Sequence, residues 1–288
     1  MTDELVRATA GGVRLYAVDS SGLTEEACAR HNCWALASAA LGRVMTGALL
    51  LSATFKENER ITVRLAGDGP LGAVVADAGQ MTVRGYVNNP AAELPMKDNK
   101  LDVGGGIGKG QITVTRFSGL KTPVSGSAEL ISGEVAEDLT NYLYVSEQTP
   151  ACVSLGVLVG RDGKIIKAVG FFVQAMPDAD IDLVAALEGR INALPPVTVM
   201  LEAGLEPGAI IRKICGRIIE PVIHDRNRVA FRCGCSRESA GKMLKTISGQ
   251  DAEDLSLDEE TEVCCHFCNA KYLFDKKEIG ALVKRAKP

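Results

Sequence analysis

An excess of positive charge is missing from this 288-residue chain. Its 36 Asp and Glu outnumber its 32 Lys and Arg, which gives a net charge of −4 and a pI of about 5.6. The segment 233–288 is no more basic, with nine Lys and Arg against ten Asp and Glu. Because no positive field draws the protein to a polyanion, we expect no nucleic-acid partner.

A secretory leader and an uninterrupted membrane-length apolar run are also missing. The chain opens Met-Thr-Asp-Glu-Leu-Val, with acidic residues where a signal peptide is basic, so we expect a cytoplasmic protein. The stretch 36–55 approaches membrane-span length, yet Arg43 interrupts it and Ala, Ser, Gly and Thr dilute it. It predicts a buried helix, in which Gly42 and Gly47 permit close packing, and no membrane partner.

A nucleotide-binding loop is missing as well, although the glycine-rich segment 104–110 resembles one. A Walker A loop needs glycine where Val103 stands and Ser or Thr where Gly110 stands, so we expect a flexible loop. His224-Asp225 resembles a catalytic pair only by adjacency, and we expect a surface turn there. We therefore assign no catalytic residue and no cofactor-binding loop, and we predict that the protein is not an enzyme.

What the chain does have is nine cysteines, four of them in two close pairs near the C-terminus. Cys233-Gly-Cys235 is followed, after 29 residues, by Cys265-His-Phe-Cys268. Each pair can supply two thiolates from one tight turn, which is what a tetrahedral zinc ion needs. We predict that these four cysteines bind one zinc ion.

The spacing leaves the role of this zinc site open. Most four-cysteine zinc sites are purely structural and stabilise a module that is too small to bury a core. A disulfide across Gly234, however, would close a small, strained ring, and strained disulfides are the labile, regulatory ones. On spacing alone, the site is either a structural staple or a redox switch.

Two residues beside the second pair are alternative ligands. Cys264 directly precedes Cys265, and His266 lies inside the turn. Only Cys265 and Cys268 keep the two-residue gap of a zinc knuckle, so we assign the site to them.

The remaining cysteines show no ligand spacing. Cys28, His31 and Cys33 could suggest a second metal site, but on one helix they point to different faces. We expect these thiols to be buried or incidental. An odd number of cysteines, with Cys152 and Cys215 isolated in the chain, fits reduced thiols better than a secreted disulfide framework.

Residues 1–178 predict a β-rich domain that contains helices. Strand-like alternation over 5–18 is followed by a helical signal over 24–53. A further helix is predicted over 134–147, and Gly160-Arg-Asp-Gly163 predicts a hairpin turn. Further strands are predicted at 61–65, 71–77, 81–87, 111–117, 124–131, 152–159 and 165–173.

Residues 179–231 predict a linker of short amphipathic helices. Apolar residues recur at helical spacing from Leu183 to Leu194, a second helix is predicted over 197–203, and Pro207 suits the first turn of a third. Isolated helices of this length are marginal in water, so they need a partner surface. The linker is either a docked connector that never moves or a metastable segment.

Residues 232–288 predict a small zinc-binding module, in which Ser236 caps a helix over 236–247. The length suits more than one domain, and 46% hydrophobic with 24% charged residues is ordinary for a soluble globular protein. The predicted fold class is α+β: a β-rich N-terminal core domain over 1–178, a metastable helical linker over 179–231, and a C-terminal redox-switch zinc domain over 232–288.

Together these residues resemble the heat-shock protein 33 family of redox-regulated holdase chaperones. Cys233, Cys235, Cys265 and Cys268 match the family's CxC and CxxC pattern, with Glu262-Val263 before the second pair and Asn269 and Tyr272 after it. Resemblance to its N-terminal signatures lies in Trp34, Ala40-Leu-Gly-Arg43, Gly67-Asp-Gly-Pro-Leu-Gly72, Ala76-Asp77, Arg84-Gly-Tyr-Val87, Asn89-Pro90 and Ser146-Glu-Gln148. The likeness spans nearly the whole chain, and Cys264 is an added thiol beside the second pair.

The resemblance implies a mechanism as well as a fold. The reduced, inactive form would hold one structural and regulatory Zn²⁺, and oxidation would form disulfides within each pair, Cys233 with Cys235 and Cys265 with Cys268. Zinc release and linker unfolding would then expose apolar surface that holds unfolding client proteins without ATP. Structural zinc supplies on the order of 10 kcal/mol to folding, so its loss can unfold a small module. The sequence leaves open whether the oxidised form is a homodimer.

Two alternatives come from other functional classes. A thiol-disulfide oxidoreductase would need one exposed cysteine of low pKa at a helix start, in a two-cysteine site. A zinc-ribbon nucleic-acid binder would need a basic face, which the charge count does not provide. Zinc binding tested together with oxidant-dependent suppression of aggregation separates all three functions.

Overall fold

The chain divides into two compact units, Met1–Arg232 and Cys233–Pro288. The computed structural model describes residues 3–56, 58–119, 122–247 and 250–284. The first unit contains two β-sheets with helices, and the second contains a small hairpin with helices. The predicted α+β fold class, β-rich in its N-terminal part, is confirmed.

One sheet of the first unit has five antiparallel strands in the order β10-β1-β2-β9-β8. Strands β1 and β2 form a hairpin because Gly11 and Gly12 adopt positive φ angles of 53° and 79°, which glycine tolerates best. The predicted hairpin at Gly160-Arg-Asp-Gly163 joins β8 to β9 and is confirmed. The strands are β1 (Glu4–Ala10), β2 (Val13–Asp19), β8 (Ala151–Val159), β9 (Ile165–Ala175) and β10 (Val222–Arg228).

The other sheet has six strands in the order β11-β5-β4-β3-β6-β7. All neighbours are antiparallel except β11, which runs parallel to β5. The strands predicted over this region are confirmed, with bounds shifted by up to two residues. They are β3 (Arg60–Gly67), β4 (Ala73–Gly79), β5 (Thr82–Val87), β6 (Gly110–Phe117) and β7 (Val124–Glu129). The sixth strand, β11 (Ala230–Phe231), was not predicted.

Four helices accompany these sheets: α1 (Ser21–His31), α2 (Ala35–Ser52), α3 (Val103–Ile107) and α4 (Ala136–Val145). Helix α2 packs against strands of both sheets. By length and composition α2 could cross a membrane, but 83% of its 18-residue window is buried inside the fold. The predicted close packing at Gly42 is also found, since a Cβ there would lie 2.7 Å from Thr24 Cγ2.

The helical signal predicted over 24–53 is confirmed as two helices, because Asn32 takes a left-handed conformation with φ 52° and ends α1. One local expectation for this unit was wrong. The glycine-rich segment is not a flexible loop: it contains α3, capped by Asp102, which accepts a hydrogen bond from Gly105 N–H at 2.8 Å. Backbone hydrogen bonds to the residues around Gly69 hold α3 in place.

The segment 179–231 forms the three predicted helices, α5 (Ile181–Asn192), α6 (Val197–Glu202) and α7 (Pro207–Cys215). Asp180 caps α5 by accepting hydrogen bonds from the backbone of Asp182 and Leu183, at 2.8 and 3.1 Å. Pro207 occupies the first turn of α7, as predicted. After a turn at 216–218, the end of the segment forms the strands β10 and β11.

The apolar faces of these three helices lie on the five-stranded sheet. Leu187, Met200, Ile210 and Ile214 are at most 2% exposed and share one core cluster with strands β1, β2 and β9. Leu183 and Ile191 pack against the same cluster while partly buried. The sheet therefore supplies the partner surface that helices of this length need.

His224-Asp225 lies in strand β10 and not in a surface turn, which corrects that expectation. Asp225 accepts bidentate hydrogen bonds from the Arg7 guanidinium on β1, the shortest at 2.7 Å, and His224 Nε2 lies 2.7 Å from Thr9 Oγ1. Arg226 of β10 forms an ion pair with Glu4 of β1 at 2.9 Å. The extended end of the linker segment is thus an edge strand of the core sheet.

The second unit contains a two-stranded hairpin, β12 (Glu260–Cys264) and β13 (Lys271–Asp275), with helices α8 (Arg237–Leu244), α9 (Gln250–Leu257) and α10 (Lys276–Lys284). Ser236 caps α8 as predicted, since its Oγ accepts a hydrogen bond from Ser239 N–H at 3.1 Å. The described core of this unit has four buried side chains, those of Ala240, Leu244, Phe274 and Ile279. Such a core is too small to stabilise a fold strongly by itself.

Candidate metal centre

The four cysteines of the two pairs converge in the second unit. Cys233 and Cys235 lie directly before α8, while Cys265 and Cys268 lie in the turn between β12 and β13. In that turn the backbone N–H of Asn269 donates to the Cys265 carbonyl at 2.8 Å. Asn269 itself has a positive φ of 57°, which reverses the chain and leaves both sulfurs on the inner side.

The sulfur atoms of these cysteines all lie within 4.8 Å of one another. Cys233 Sγ is 3.7 Å from Cys265 Sγ, and Cys235 Sγ is 3.3 Å from Cys268 Sγ. Within the described ranges, no other three cysteine, histidine or carboxylate side chains are grouped in this way.

The donor set fits a zinc ion. Four thiolates about 2.3 Å from a tetrahedral zinc ion are about 3.8 Å apart, which is close to the spacing found here. All four donors are soft sulfur atoms, and a four-sulfur tetrahedral arrangement is typical of zinc and iron–sulfur sites. The described residues therefore place all four predicted ligands where one ion could contact each of them.

The electrostatics of the site make thiolate formation depend on a nearby cation. Burial raises the pKa of the Cys268 and Cys265 thiols, so these groups resist ionisation when no positive charge is nearby. A bound cation of charge two would offset the repulsion between neighbouring thiolates. The arrangement is suited to thiols that lose their protons together when metal binds.

A residue whose role the sequence reasoning missed supports one of the ligands. The hydroxyl of Tyr272, on β13, donates a hydrogen bond to Cys235 Sγ at 3.1 Å. This bond raises the pKa of Tyr272 to about 12. A donor to a metal-ligating sulfur orients that ligand and tunes its charge. The sequence offers one signal for this contact, since Tyr272 follows Cys268 by four residues and belongs to the family motif around the second cysteine pair.

Cys264 lies outside the sulfur cluster. Its side chain is exposed, and its Sγ donates to Asn269 Oδ1 at 3.0 Å. Cys264 is the last residue of β12, whereas Cys265 begins the turn that holds the second pair. His266 is likewise not a member of the cluster.

The remaining four cysteines lie in the first unit. Cys28 and Cys215 are buried, and Cys33 and Cys152 are half-buried. Cys33 does not lie on the helix of Cys28, because the chain turns back at Asn32 and the N–H of Cys33 donates to the Cys28 carbonyl at 3.0 Å.

Comparison with known proteins adds to this geometry. The family model described as Hsp33 protein matches residues 3–275. The chain belongs to the Hsp33 family. Its resemblance to that family, inferred above from motifs, is thereby confirmed.

Hsp33-family relatives match almost end to end. The chain is 42% identical to the 33 kDa chaperonin of Desulforamulus reducens, with 99% of this chain and 98% of the relative covered. It is 39% identical to the 33 kDa chaperonin of Bacillus subtilis, with 97% and 98% covered. The crystal structure of the 33 kDa chaperonin of Thermotoga maritima, an Hsp33 homologue, matches with a TM-score of 0.93 at 37% identity, covering 99% of each chain. These similarities support a chaperone role.

Proposed function

We propose that this protein is a cytoplasmic, redox-regulated holdase chaperone that works without ATP and without catalysis. In the reduced form, Cys233, Cys235, Cys265 and Cys268 hold one zinc ion and the chaperone is inactive. In the oxidised form, the same cysteines are disulfides, the linker is unfolded, and apolar surface binds unfolding client proteins. The observation that carries the proposal is the convergence of four thiols in a unit whose described core has four buried side chains.

The first step of the proposed activation is loss of the ligand set. Zinc bound to the four thiolates supplies on the order of 10 kcal/mol to the folding of a small module. Formation of each disulfide joins two sulfurs and passes two electrons to an oxidant such as a peroxide, which leaves as water. Disulfide sulfurs lack the charge that a zinc ligand needs. Oxidation of the cysteines therefore removes the main stabilisation of the second unit.

The second step is exposure of the linker. Its three helices bury Leu187, Met200, Ile210 and Ile214 against the five-stranded sheet. Helices of 6 to 12 residues do not remain folded once such packing is lost. Their apolar faces would then be open to unfolded chains, whose own exposed apolar groups are the complementary surface. We accordingly propose that residues 179–231 act as a metastable linker between the core over 1–178 and the zinc domain over 232–288.

Disulfide formation within each pair is part of this proposal. Cys233 would join Cys235, and Cys265 would join Cys268, because residues close in the chain remain close after the metal site opens. Sulfur distances of 3.7 and 3.3 Å run between the pairs, from Cys233 to Cys265 and from Cys235 to Cys268, and all four sulfurs lie within 4.8 Å of one another. Distances of this size in the folded module are compatible with either connectivity, so the pairing stays a prediction.

Hydrogen exchange and light scattering, run on the same samples, test the mechanism. In the reduced protein, the amides of residues 179–247 and 250–284 should be protected from exchange. The reduced protein should not suppress aggregation of a client. Protein treated with peroxide and mild heat should lose its zinc, lose protection over the same residues and suppress aggregation stoichiometrically in the absence of nucleotide. Full protection in an oxidised, chaperone-active sample would contradict linker unfolding, while oxidised protein without chaperone activity would contradict the function itself. Sedimentation of both samples tests whether the oxidised form is a homodimer.

A further inference from the structure

A second pair of cysteines meets at the end of helix α1. Asn32 takes the left-handed conformation, its N–H donates to the Ala29 carbonyl at 3.3 Å, and the N–H of Cys33 donates to the Cys28 carbonyl at 3.0 Å. These two bonds form the Schellman motif, which reverses the chain after a helix. The motif brings the side chain beyond the left-handed residue against the side chain five positions earlier. Here those two side chains are Cys33 and Cys28.

The backbone N of Cys33 lies 3.0 Å from the Cys28 carbonyl oxygen, and the Cys28 Sγ lies 4.0 Å from the Ser38 carbonyl oxygen. The neighbouring thiols lower the pKa of Cys28 and raise the pKa of Cys33, which favours Cys28 as the attacking thiolate. Among the described residues, no third cysteine, histidine or carboxylate side chain joins this pair, as the four cysteines of the second unit join one another. We therefore do not assign a metal site to it.

We propose that Cys28 and Cys33 are a second redox pair, which a peroxide converts into a disulfide at the end of α1. The Cys28 thiolate attacks one peroxide oxygen, so that an S–O bond forms, the O–O bond breaks, and hydroxide leaves with the Cys33 proton as water. The Cys33 thiolate then attacks the Cys28 sulfur, so that the S–S bond forms, the S–O bond breaks, and the hydroxide that leaves takes up the proton first lost by the Cys28 thiol, giving the second water. Two thiols are thus oxidised and one hydrogen peroxide is reduced to two water molecules.

The surroundings suit a small oxidant. Cys28 is 5% exposed, whereas Cys33 is half-buried and lies next to Trp34, which is 49% exposed. A peroxide can therefore enter past Cys33, while larger reagents are kept from Cys28. The two backbone hydrogen bonds of the motif keep Cys28 and Cys33 adjacent in the folded unit.

Peptide mapping of the wild-type, full-length protein tests the pair directly. Trypsin cuts after Arg14, Arg30 and Arg43, so Cys28 falls on the peptide 15–30 and Cys33 on the peptide 31–43. After peroxide treatment and alkylation of free thiols, we expect these peptides as one disulfide-linked species that has lost two hydrogen atoms. With the four zinc-site cysteines also oxidised, three of the nine thiols should remain titratable.

Tryptophan fluorescence supplies an independent readout, because Trp34 is the one tryptophan of the chain and follows Cys33 directly. A disulfide quenches a neighbouring indole, so emission should fall on oxidation and recover on reduction. Cys33→Ser should abolish this reversible change, whereas Cys152→Ser, at another half-buried thiol of the same unit, should retain it.

Peptides 15–30 and 31–43 recovered as separate alkylated species, from protein whose four zinc-site cysteines are oxidised, would overturn the proposal. Recovery of Cys28 or Cys33 as a sulfinic acid without the linked species would also overturn it.

Discussion

Replacing Ile214 by alanine should release the linker of the reduced protein without any oxidant. Ile214 is fully buried, and its helix α7 packs on strands β1 and β2 of the core sheet. Truncating a buried isoleucine to alanine costs about 2–5 kcal/mol, since the transfer energy and the energy of the remaining cavity add. A cost of about 3 kcal/mol raises the opening equilibrium of the linker roughly 100-fold.

The assay is hydrogen exchange on the reduced, zinc-loaded variant, together with light scattering of an aggregating client. Amides of α5, α6 and α7 should exchange roughly 100-fold faster than in the wild type, if exchange follows the opening equilibrium. Part of the holdase activity should appear while the zinc is still bound. This result would mean that the linker helices supply the apolar surface that binds clients, and that oxidation is needed only to release these helices from the sheet.

Two control variants separate this mechanism from general destabilisation. Ile181→Ala alters the same segment at a side chain that is 83% exposed, so it should change neither measurement. Leu65→Ala removes a fully buried side chain from the six-stranded sheet and should lower the stability of the unit without selective exchange in the linker. If Ile214→Ala leaves linker protection and activity unchanged, or if Leu65→Ala releases the linker equally well, the reasoning is refuted.

Further predictions concern the zinc centre. Cys264→Ser should keep bound zinc and Cys265→Ser should lose it, as measured by metal content after gel filtration, and the reverse result would disprove the ligand assignment. Peptide mapping of the oxidised protein should find Cys233 joined to Cys235 and Cys265 joined to Cys268, and predominant bonds to Cys264 or Cys215 would exclude this pairing. Tyr272→Phe should weaken zinc affinity about 10-fold in competition with a chelator, because it removes the hydrogen bond to Cys235, whereas Tyr144→Phe, at an exposed tyrosine, should not. Chelation of zinc from the reduced protein should abolish exchange protection of β12 and β13 while the six-stranded sheet stays protected, and loss of protection in both would show that the units do not unfold separately.

The sequence alone was sufficient to predict which four cysteines come together, because the information is largely local. The cysteines of each pair are separated by one or two residues, so a folded turn brings their sulfurs together. Most strands and the three linker helices were also predictable, since period-2 and period-3.6 patterns are set by which face of an element is buried. Even here the bounds differed, as at α8, which ends at Leu244 and not at residue 247.

Other features depend on partners far along the chain. Strand β10 is extended because it pairs with β1, where Arg7 and Asp225 are 218 positions apart, and no local pattern contains that information. The same is true of the Tyr272 hydroxyl, whose partner Cys235 lies 37 residues earlier.

The sequence by itself determined which residues could bind metal and which segments could be helix or strand, because these depend on near neighbours. The tertiary structure decided what covers the linker helices, which cysteines lie together at the end of α1, and which side chain donates a hydrogen bond to Cys235. A single left-handed residue, Asn32, is enough to bring Cys33 onto Cys28. Contacts of this kind follow from the direction of the chain after a turn and from distant packing surfaces, and periodicity and spacing do not encode either of them.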